Sequence, residues 1–290
     1  MDQPSPAQSF TLHVPDTLST PVILSIPHAG RHYPPAMAPL LRLPMARLAA
    51  LEDRHVDSLA SRAIAAGVPA LIATAPRAWI DLNRHEDEVD PAMVTPPPVS
   101  GRTQSAKVRG GLGLVPRRLA GSGDIWRGCL PAAALAERIA QVHRPYHAAL
   151  AALIAAARAR FGVAVLLDLH SMPPIPDKGW GIAPRIVLGD RFGRSASSRF
   201  VMRLAAEAQA SGLPVTENVP YSGGYILERH ASPARNIHAI QLEIDRSLYL
   251  ENDLRTLKPS AQAAMARMVA AMAAALADEA LAGPQPLAAE

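Results

Sequence analysis

The chain has 290 residues, of which 49% are hydrophobic and 19% charged, a balance that excludes a disordered protein and is typical of a soluble globular one. Its net charge is only +4 and no segment combines clustered basic and aromatic residues, which argues against nucleic-acid binding but suits a small anionic ligand. The only cysteine, Cys129, excludes an internal disulfide, and its surroundings do not resemble those of a catalytic thiol. No signal peptide is recognisable, and the alanine-rich run 149–158 is too short to span a bilayer, so we expect a cytoplasmic protein without a membrane partner.

Strands and helices are predicted to alternate along the chain. Short apolar runs rich in β-branched residues predict strands over 21–27, 70–74, 78–82, 163–169, 184–188 and 238–244. Apolar residues at helical spacing predict helices over 45–66, 131–160, 196–210 and 260–277. This alternation predicts an α/β fold in which helices flank a mostly parallel or mixed central sheet, in a single domain over residues 1–290. Residues 86–128 lack a clear period and are predicted to form a long loop or lid insertion.

Ionisable residues stand at the ends of three predicted strands. His28 follows the first strand, Asp168 and His170 end the fourth, and Glu243 lies near the end of the last. Because a buried charge without a partner costs several kcal/mol, these residues suggest a shared site at the carboxyl edge of the sheet. Two histidines and a carboxylate are the chemistry of a zinc hydrolase, in which a carboxylate off the metal serves as general base. A single histidine taken alone is more commonly a half-buried structural residue, and the metal interpretation depends on several such residues each following an apolar strand.

Two further groups of polar residues allow both a functional and a structural interpretation. Asp53 and Asp57 are four residues apart in a predicted helix, where a solvated acidic face is the alternative to a site. The pair Asn83-Arg84 suits a carboxylate ligand, since Arg can grip one with two parallel hydrogen bonds, but a structural ion pair explains it equally.

A glycine-rich turn precedes the last predicted strand. Gly223 and Gly224 lack the spacing of a phosphate-binding loop. They predict either close backbone approach to a small ligand or an ordinary tight turn, because glycine permits both.

The ordered set of these motifs resembles the N-formylglutamate amidohydrolases. The resemblance runs from about residue 20 to 250, and no single motif carries it. The matching stretches are Ser25-Ile-Pro-His28-Ala-Gly-Arg31, Asp53-Arg-His55, Asp81-Leu-Asn-Arg84, His143-Arg-Pro-Tyr-His147, Asp168-Leu-His-Ser171, Ser222-Gly-Gly-Tyr225 and His238-Ala-Ile-Gln-Leu-Glu243.

The resemblance implies a zinc-exopeptidase-like fold with one zinc ion, and hydrolysis of N-formyl-L-glutamate to glutamate and formate, the last step of one histidine-degradation route. His28 and His170 are then metal ligands. In the wider group the first motif carries a ligating glutamate where this chain has Arg31, so the third ligand must come from elsewhere. Asp53 is the candidate, with Glu52 and His55 as alternatives.

The resemblance also assigns roles around the metal. It makes Glu243 the general base and Asn83 and Arg84 the anchor of the substrate carboxylate. In the mechanism that we infer from these roles, another arginine, Arg31 or Arg229, meets the side-chain carboxylate. Further substrate-binding positions implied in the same way are Ser171, Gly223 and Gly224. A hydrolase of another N-acyl amino acid or peptide, or a non-catalytic ligand-binding homologue, remains an alternative, and the sequence does not set the oligomeric state.

Overall fold

The computed structural model describes residues 9–97, 105–176 and 183–283. The β-strands in these ranges are Phe10–His13 (β1), Val22–Ile26 (β2), Ala70–Ala73 (β3), Val94–Thr95 (β4), Arg118–Leu119 (β5), Gly123–Asp124 (β6), Leu130–Pro131 (β7), Ala164–Met172 (β8), Ile186–Gly189 (β9), Val215–Glu217 (β10) and Ile237–Asp245 (β11). The α-helices are Val56–Leu59 (α1), Ser61–Ala65 (α2), Ala106–Arg109 (α3), Ala132–Arg138 (α4), Arg144–Phe161 (α5), Ser198–Ala210 (α6), Tyr225–His230 (α7) and Pro259–Ala282 (α8). Turns of 3-10 helix cover Pro35–Leu40, Met45–Leu51, Pro91–Met93, Pro233–Arg235 and Arg246–Leu248, and one π-helical turn covers Ile139–His143.

One mixed sheet organises the fold. Seven strands form it in the order β1-β3-β2-β8-β11-β9-β10. Strands β2 and β11 both run parallel to β8, β9 runs antiparallel to β11, and β10 runs parallel to β9. Every residue of β8 and all but the first of β11 are buried, as expected of central strands covered on both faces. The predicted fold class, α/β with a mostly parallel, mixed sheet flanked by helices, is confirmed.

Contacts between Cα atoms group the chain into two compact units. The first comprises Met1–Leu12, Ile26–Arg54 and Leu71–Leu150, and the second His13–Ser25, His55–Ala70 and Ala151–Glu290. The prediction of one catalytic domain over residues 1–290 stays a prediction.

The predicted insertion over residues 86–128 lies in the first unit and carries short elements. Strand β4 pairs with β7 in parallel, and β5 and β6 form a small antiparallel ladder. Helix α3 lies between β4 and β5 in the sequence. Residues 98–104 of the insertion lie outside the described ranges. A role for the segment as a lid stays a prediction.

The predicted helix 131–160 is interrupted by a π-helical turn that ends at His143. Turns of this kind are rare and are found frequently at functional sites. The Nε2 atoms of His143 and His147 form hydrogen bonds with the backbone carbonyl oxygens of Arg84 and Leu82, at 2.9 and 3.0 Å. Both histidine side chains are fully buried, so they fix the loop that carries Asp81 and Arg84.

Helix α8 belongs to the second unit and packs against α6, α2 and β8. It is long and apolar enough to cross a membrane by length and composition alone, a property that core helices of soluble proteins share. Its apolar residues, such as Val269, Met272 and Leu276, are buried in the described structure.

The predicted helix 45–66 is wrong over its middle. The chain instead leaves the 3-10 turn Met45–Leu51, extends at Glu52 and turns sharply at His55, which has a φ of 61°. The backbone N–H of Asp53 donates to the carbonyl oxygen of His28 at 2.9 Å, a bond that a continuous helix would not allow. Asp53 and Asp57 therefore do not share a helix face.

The predicted strand 78–82 is also wrong, because this segment is a loop. The N–H of Trp79 donates to the carbonyl oxygen of Pro76, which closes a tight turn where a strand would continue. The side chain of Asp81 then accepts the N–H of Asn83 at 2.9 Å, the local bond by which Asp favours turns over strands. The alternation of apolar residues in this segment reflects burial in a loop.

Candidate active site

In the first unit, His28 is held between two buried carboxylates. Its Nε2 lies 2.8 Å from Oδ1 of Asp81, and its Nδ1 lies 3.6 Å from Oδ2 of Asp53. When Nε2 carries the proton and donates to Asp81, the lone pair of Nδ1 is directed away from Asp81 and is available as a ligand. Gly30, two residues after His28, has no room for a side chain, since a Cβ there would lie 1.9 Å from the carbonyl oxygen of Ala75.

Asp81 is a buried anion that interacts with the positive groups near His28. Its carboxylate is fully buried and accepts from Nε of Arg77 at 2.9 Å, while Nη2 of Arg84 lies 4.0 Å away. Burial alone would raise the pKa of Asp81, but Arg77, His28 and Arg84 together hold that pKa well below its ordinary value. Asp81 is therefore a permanent anion at neutral pH and a fixed acceptor for His28.

In the second unit, one face of the sheet carries a row of buried polar side chains. The register pairs Asp168 with both Ser25 and Gln241, and it pairs His170 with Glu243. Since paired residues, and residues two apart in a strand, point to the same face, all five side chains share it. Asp168 accepts from Oγ of Ser25 at 2.8 Å and from Nε2 of His170 at 2.9 Å, and Glu243 accepts from Nε2 of Gln241 at 2.8 Å.

His28, Asp53 and His170 form a group that can hold a metal ion. Each offers one ligand atom, these atoms all lie within 4.8 Å of one another, and all three residues are buried. Both histidines bond a buried carboxylate, Asp81 or Asp168, through Nε2, so each presents Nδ1 as the remaining ring nitrogen. Two imidazoles and a carboxylate, with hydrogen-bonded partners behind the histidines, are the donor set of catalytic zinc sites.

The alternatives for the third ligand are engaged elsewhere or differently placed. Glu52 accepts from the hydroxyl of Tyr33 at 2.5 Å and from Arg54 at 2.7 Å. His55 occupies the left-handed position that begins α1 and does not join the metal-ligating group found among the described residues. Asp53 is the carboxylate that the group contains.

Comparison with known proteins identifies the family. The family model described as N-formylglutamate amidohydrolase matches residues 20–250. This chain belongs to the N-formylglutamate amidohydrolase family. It is 32% identical over 235 residues to the N-formylglutamate deformylases of Pseudomonas aeruginosa and Pseudomonas putida, a match that covers 80% of this chain and 82% of each relative. The predicted family and the predicted reaction class, hydrolysis of an amide C–N bond, are confirmed.

A solved structure extends the similarity to nearly the whole chain. The crystal structure of N-formylglutamate amidohydrolase from Ralstonia eutropha JMP134 is 31% identical in sequence and superimposes with a TM-score of 0.87. The match covers 96% of this chain and 100% of that one. The fold described above is thus shared with a solved protein that carries the family name.

Among the substrate-binding positions predicted from the family resemblance, Asn83 and Arg84 lie in the loop that begins at Asp81. Arg84 is 4% exposed and donates from Nε to the carbonyl oxygen of Leu112 at 2.9 Å and from Nη1 to that of Asn83 at 2.6 Å. These bonds fix the plane of the guanidinium and leave Nη2 without a hydrogen bond to the described residues. Burial lowers the pKa of Arg84 while Asp81 raises it. The arginine is pre-oriented, and its role as substrate anchor stays a prediction.

The glycine-rich turn lies on the site face of the sheet. A Cβ at Gly189 would lie 2.7 Å from the backbone of Ser222 and Gly223, and Gly189 is the register partner of Gln241. The turn therefore packs over the strand beside the polar row. Gly223 has a φ of 105°, and Gly224 precedes the first residue of α7.

The remaining predicted substrate-binding residues lie in different surroundings. Ser171 points to the opposite face of β8 from His170, by strand alternation, and accepts from Nε of the buried Arg246 at 3.1 Å. Arg229 is exposed on α7 and donates to the hydroxyl of Tyr225 at 2.7 Å, and Arg31 is partly exposed after β2. Their roles in substrate binding stay predictions.

Several residues near these groups were missed by sequence reasoning. Arg77 and Lys107 share the electrostatic surroundings of Asp81 and Arg84, and His230 interacts with the charge of Asp168. Burial lowers the pKa of His230 to about 4, so this imidazole is neutral at pH 7. Arg77 had a detectable signal, its position four residues before Asp81, whereas Lys107 and His230 had none.

Proposed function

We propose that this chain is a metal-dependent hydrolase that cleaves N-formyl-L-glutamate to L-glutamate and formate. The observation that carries the proposal is that His28 and His170, each paired with a buried carboxylate through Nε2, form one buried group with Asp53 whose ligand atoms lie within 4.8 Å of one another. Membership of the family and the similarity to proteins named N-formylglutamate deformylase support the substrate. We also place the reaction in histidine degradation, as the resemblance implies, and in the cytoplasm.

We assign His28, Asp53 and His170 as the ligands of one divalent ion, with zinc as the expected metal. A zinc ion bound by such ligands polarises a carbonyl group and lowers the pKa of a water molecule toward neutrality. Asp81 and Asp168 hold the two imidazoles in one tautomer and orientation. All five side chains are buried, which restricts the rotamers open to them.

Glu243 is assigned as the general base and acid. Its carboxylate accepts a proton from the water that attacks the formyl carbon, and it returns that proton to the nitrogen as the C–N bond breaks. The products are formate and the free amino group of glutamate. Gln241 supports this role, because its donation to Oε1 of Glu243 at 2.8 Å orients the carboxylate.

The charge around Asn83 and Arg84 supports a substrate that carries carboxylates. Arg77, Arg84 and Lys107 interact with one another and with the carboxylates of Asp81 and Glu88, so three positive groups face two negative ones. We assign Asn83 and Arg84 to the α-carboxylate and Arg31 or Arg229 to the side-chain carboxylate. Ser171, Gly223 and Gly224 are kept as substrate-binding positions on the resemblance alone.

A substrate panel with the zinc-loaded protein tests the function. Formate, acetate and free amine are measured with N-formylglutamate, N-formylaspartate, N-acetylglutamate and N-formylmethionine. N-formylglutamate is expected to give the highest kcat/KM, and removal of the metal by a chelator followed by zinc addition is expected to abolish and restore turnover. Faster release of acetate than of formate would assign the protein to another acyl group, and full activity without metal would contradict the metal assignment.

Arg84→Lys is expected to lower kcat/KM for N-formylglutamate by roughly 10- to 100-fold, since lysine keeps the charge but not the planar donors. Metal content should not change. The loss should be much smaller for the analogue whose α-carboxylate is replaced by an amide, because that analogue never uses the contact. Arg118→Lys, at an exposed position, serves as the control. Equal losses for acid and amide, together with a lower Tm, would assign Arg84 a structural role.

A further inference from the structure

Arg138, the last residue of α4, is buried without a carboxylate partner in the described part of the chain. It is 4% exposed, and its single hydrogen bond to the described residues runs from Nη1 to the carbonyl oxygen of Trp79 at 2.9 Å. Its Nε is buried and makes no hydrogen bond. Burial lowers the pKa of Arg138 to about 10, so the guanidinium still carries its charge at pH 7. Burying a cation without a counter-ion raises the free energy of the folded protein, and a bound anion would offset that cost.

The aromatic neighbours of Arg138 stack on its guanidinium, an arrangement compatible with an anion bound in the plane of that group. The guanidinium carbon lies 3.4 Å from the ring centre of Trp79 and 5.6 Å from that of Trp126. The attraction between the guanidinium and the ring faces offsets part of the free-energy cost of burying the charge. Because the N–H groups of a guanidinium lie in its plane, a stacked arginine can still present them edge-on to a carboxylate.

A cavity of about 130 Å³ adjoins Arg138. Its buried walls are apolar and include Met93, Val115, Trp126 and Leu130. Its lining also includes the exposed Arg127, and none of the described residues that line it is acidic. A cavity of roughly 150 Å³ in another protein holds one benzene molecule, so this volume suits a small ring or a short chain.

We propose that this cavity binds a small organic monocarboxylate, with the carboxylate on Arg138 and the apolar body against Met93, Val115 and Leu130. The apolar walls disfavour a fully hydrated anion such as phosphate, and the unpartnered guanidinium disfavours a neutral hydrocarbon. The site lies wholly within the first unit, and none of its lining residues belongs to the proposed metal and substrate groups.

Benzoate is the probe, and titration calorimetry and tryptophan fluorescence of the zinc-loaded protein are the measurements. Binding is expected with a Kd on the order of 1 mM or tighter, and benzamide, which has the same shape but no charge, should bind at least 10-fold more weakly. Absence of benzoate binding, or equal binding of benzamide, would overturn the proposal without reference to any variant.

Three variants locate the binding. Arg138→Gln should weaken benzoate at least 10-fold, and Val115→Phe, which fills the cavity but keeps the arginine, should do the same. In His170→Ala, benzoate affinity at this site should stay within 2-fold of the wild-type value. Loss of binding in His170→Ala would place benzoate at the metal group, and unchanged binding in Arg138→Gln and Val115→Phe would place it outside this cavity.

Discussion

Replacement of His170 by alanine is expected to remove the metal from the protein and abolish hydrolysis of N-formylglutamate. His170 provides one of three ligand atoms that lie within 4.8 Å of one another, and the two that remain cannot enclose an ion. The loss of metal affinity should exceed the roughly 10- to 100-fold that loss of a hydrogen-bond partner of a ligand costs. Metal content after dialysis and the rise of Tm on zinc addition measure this directly, because a ligand that binds only the folded state raises its stability.

A graded series separates ligand loss from general damage. Asp168→Asn keeps the size of the side chain that holds Nε2 of His170 but removes its charge, so metal affinity should fall by roughly 10- to 100-fold and activity should recover at high zinc. His32→Ala changes an exposed histidine and should leave metal content and the response of Tm to zinc at wild-type values. An unaltered metal content in His170→Ala would contradict the assigned metal group.

The part of the site that lies on long strands could be predicted from the sequence. Strands β8 and β11 are long apolar runs, and an ionisable residue inside such a run must have a partner, which singled out Asp168, His170 and Glu243. Strand alternation then fixes which face each residue occupies. Strand alternation also places Ser171 on the opposite face of β8 from His170, although the family resemblance predicted both as site residues.

The part of the site that lies on loops could not be predicted in the same way. Asp53 was placed in a helix because apolar spacing in a 3-10 turn and in two short helices resembles that of one long helix. The pairing of His28 with Asp81 joins residues 53 positions apart, a contact that no local pattern encodes. His143 and His147 support the loop through hydrogen bonds to backbone carbonyl oxygens. Every residue type has such an oxygen, so the sequence does not show which residues are the partners.

The Glu243→Gln variant is expected to retain its metal while kcat falls by roughly 10²- to 10⁴-fold. Glutamine keeps the size and polarity of the side chain, but it cannot accept a proton from water as a carboxylate does, and a positioned general base contributes a factor of this size. Glu243 is buried beside His170 in the strand register and is not part of the metal-ligating group found in the described residues. Its removal should therefore act on proton transfer and leave ion binding unchanged.

Two companion variants and a metal measurement decide between the possible roles of Glu243. Gln241→Met removes the hydrogen bond to Oε1 and should lower kcat by much less than Glu243→Gln, because the base remains but is less firmly held. Glu217→Gln alters an exposed glutamate at the end of β10 and should leave both kcat and metal content unchanged. If Glu243→Gln loses its metal to the same extent as His170→Ala, Glu243 is a ligand and the general base must be another residue. If it keeps its metal and full kcat, proton transfer does not depend on Glu243, because the amide that replaces the carboxylate cannot take up a proton at neutral pH.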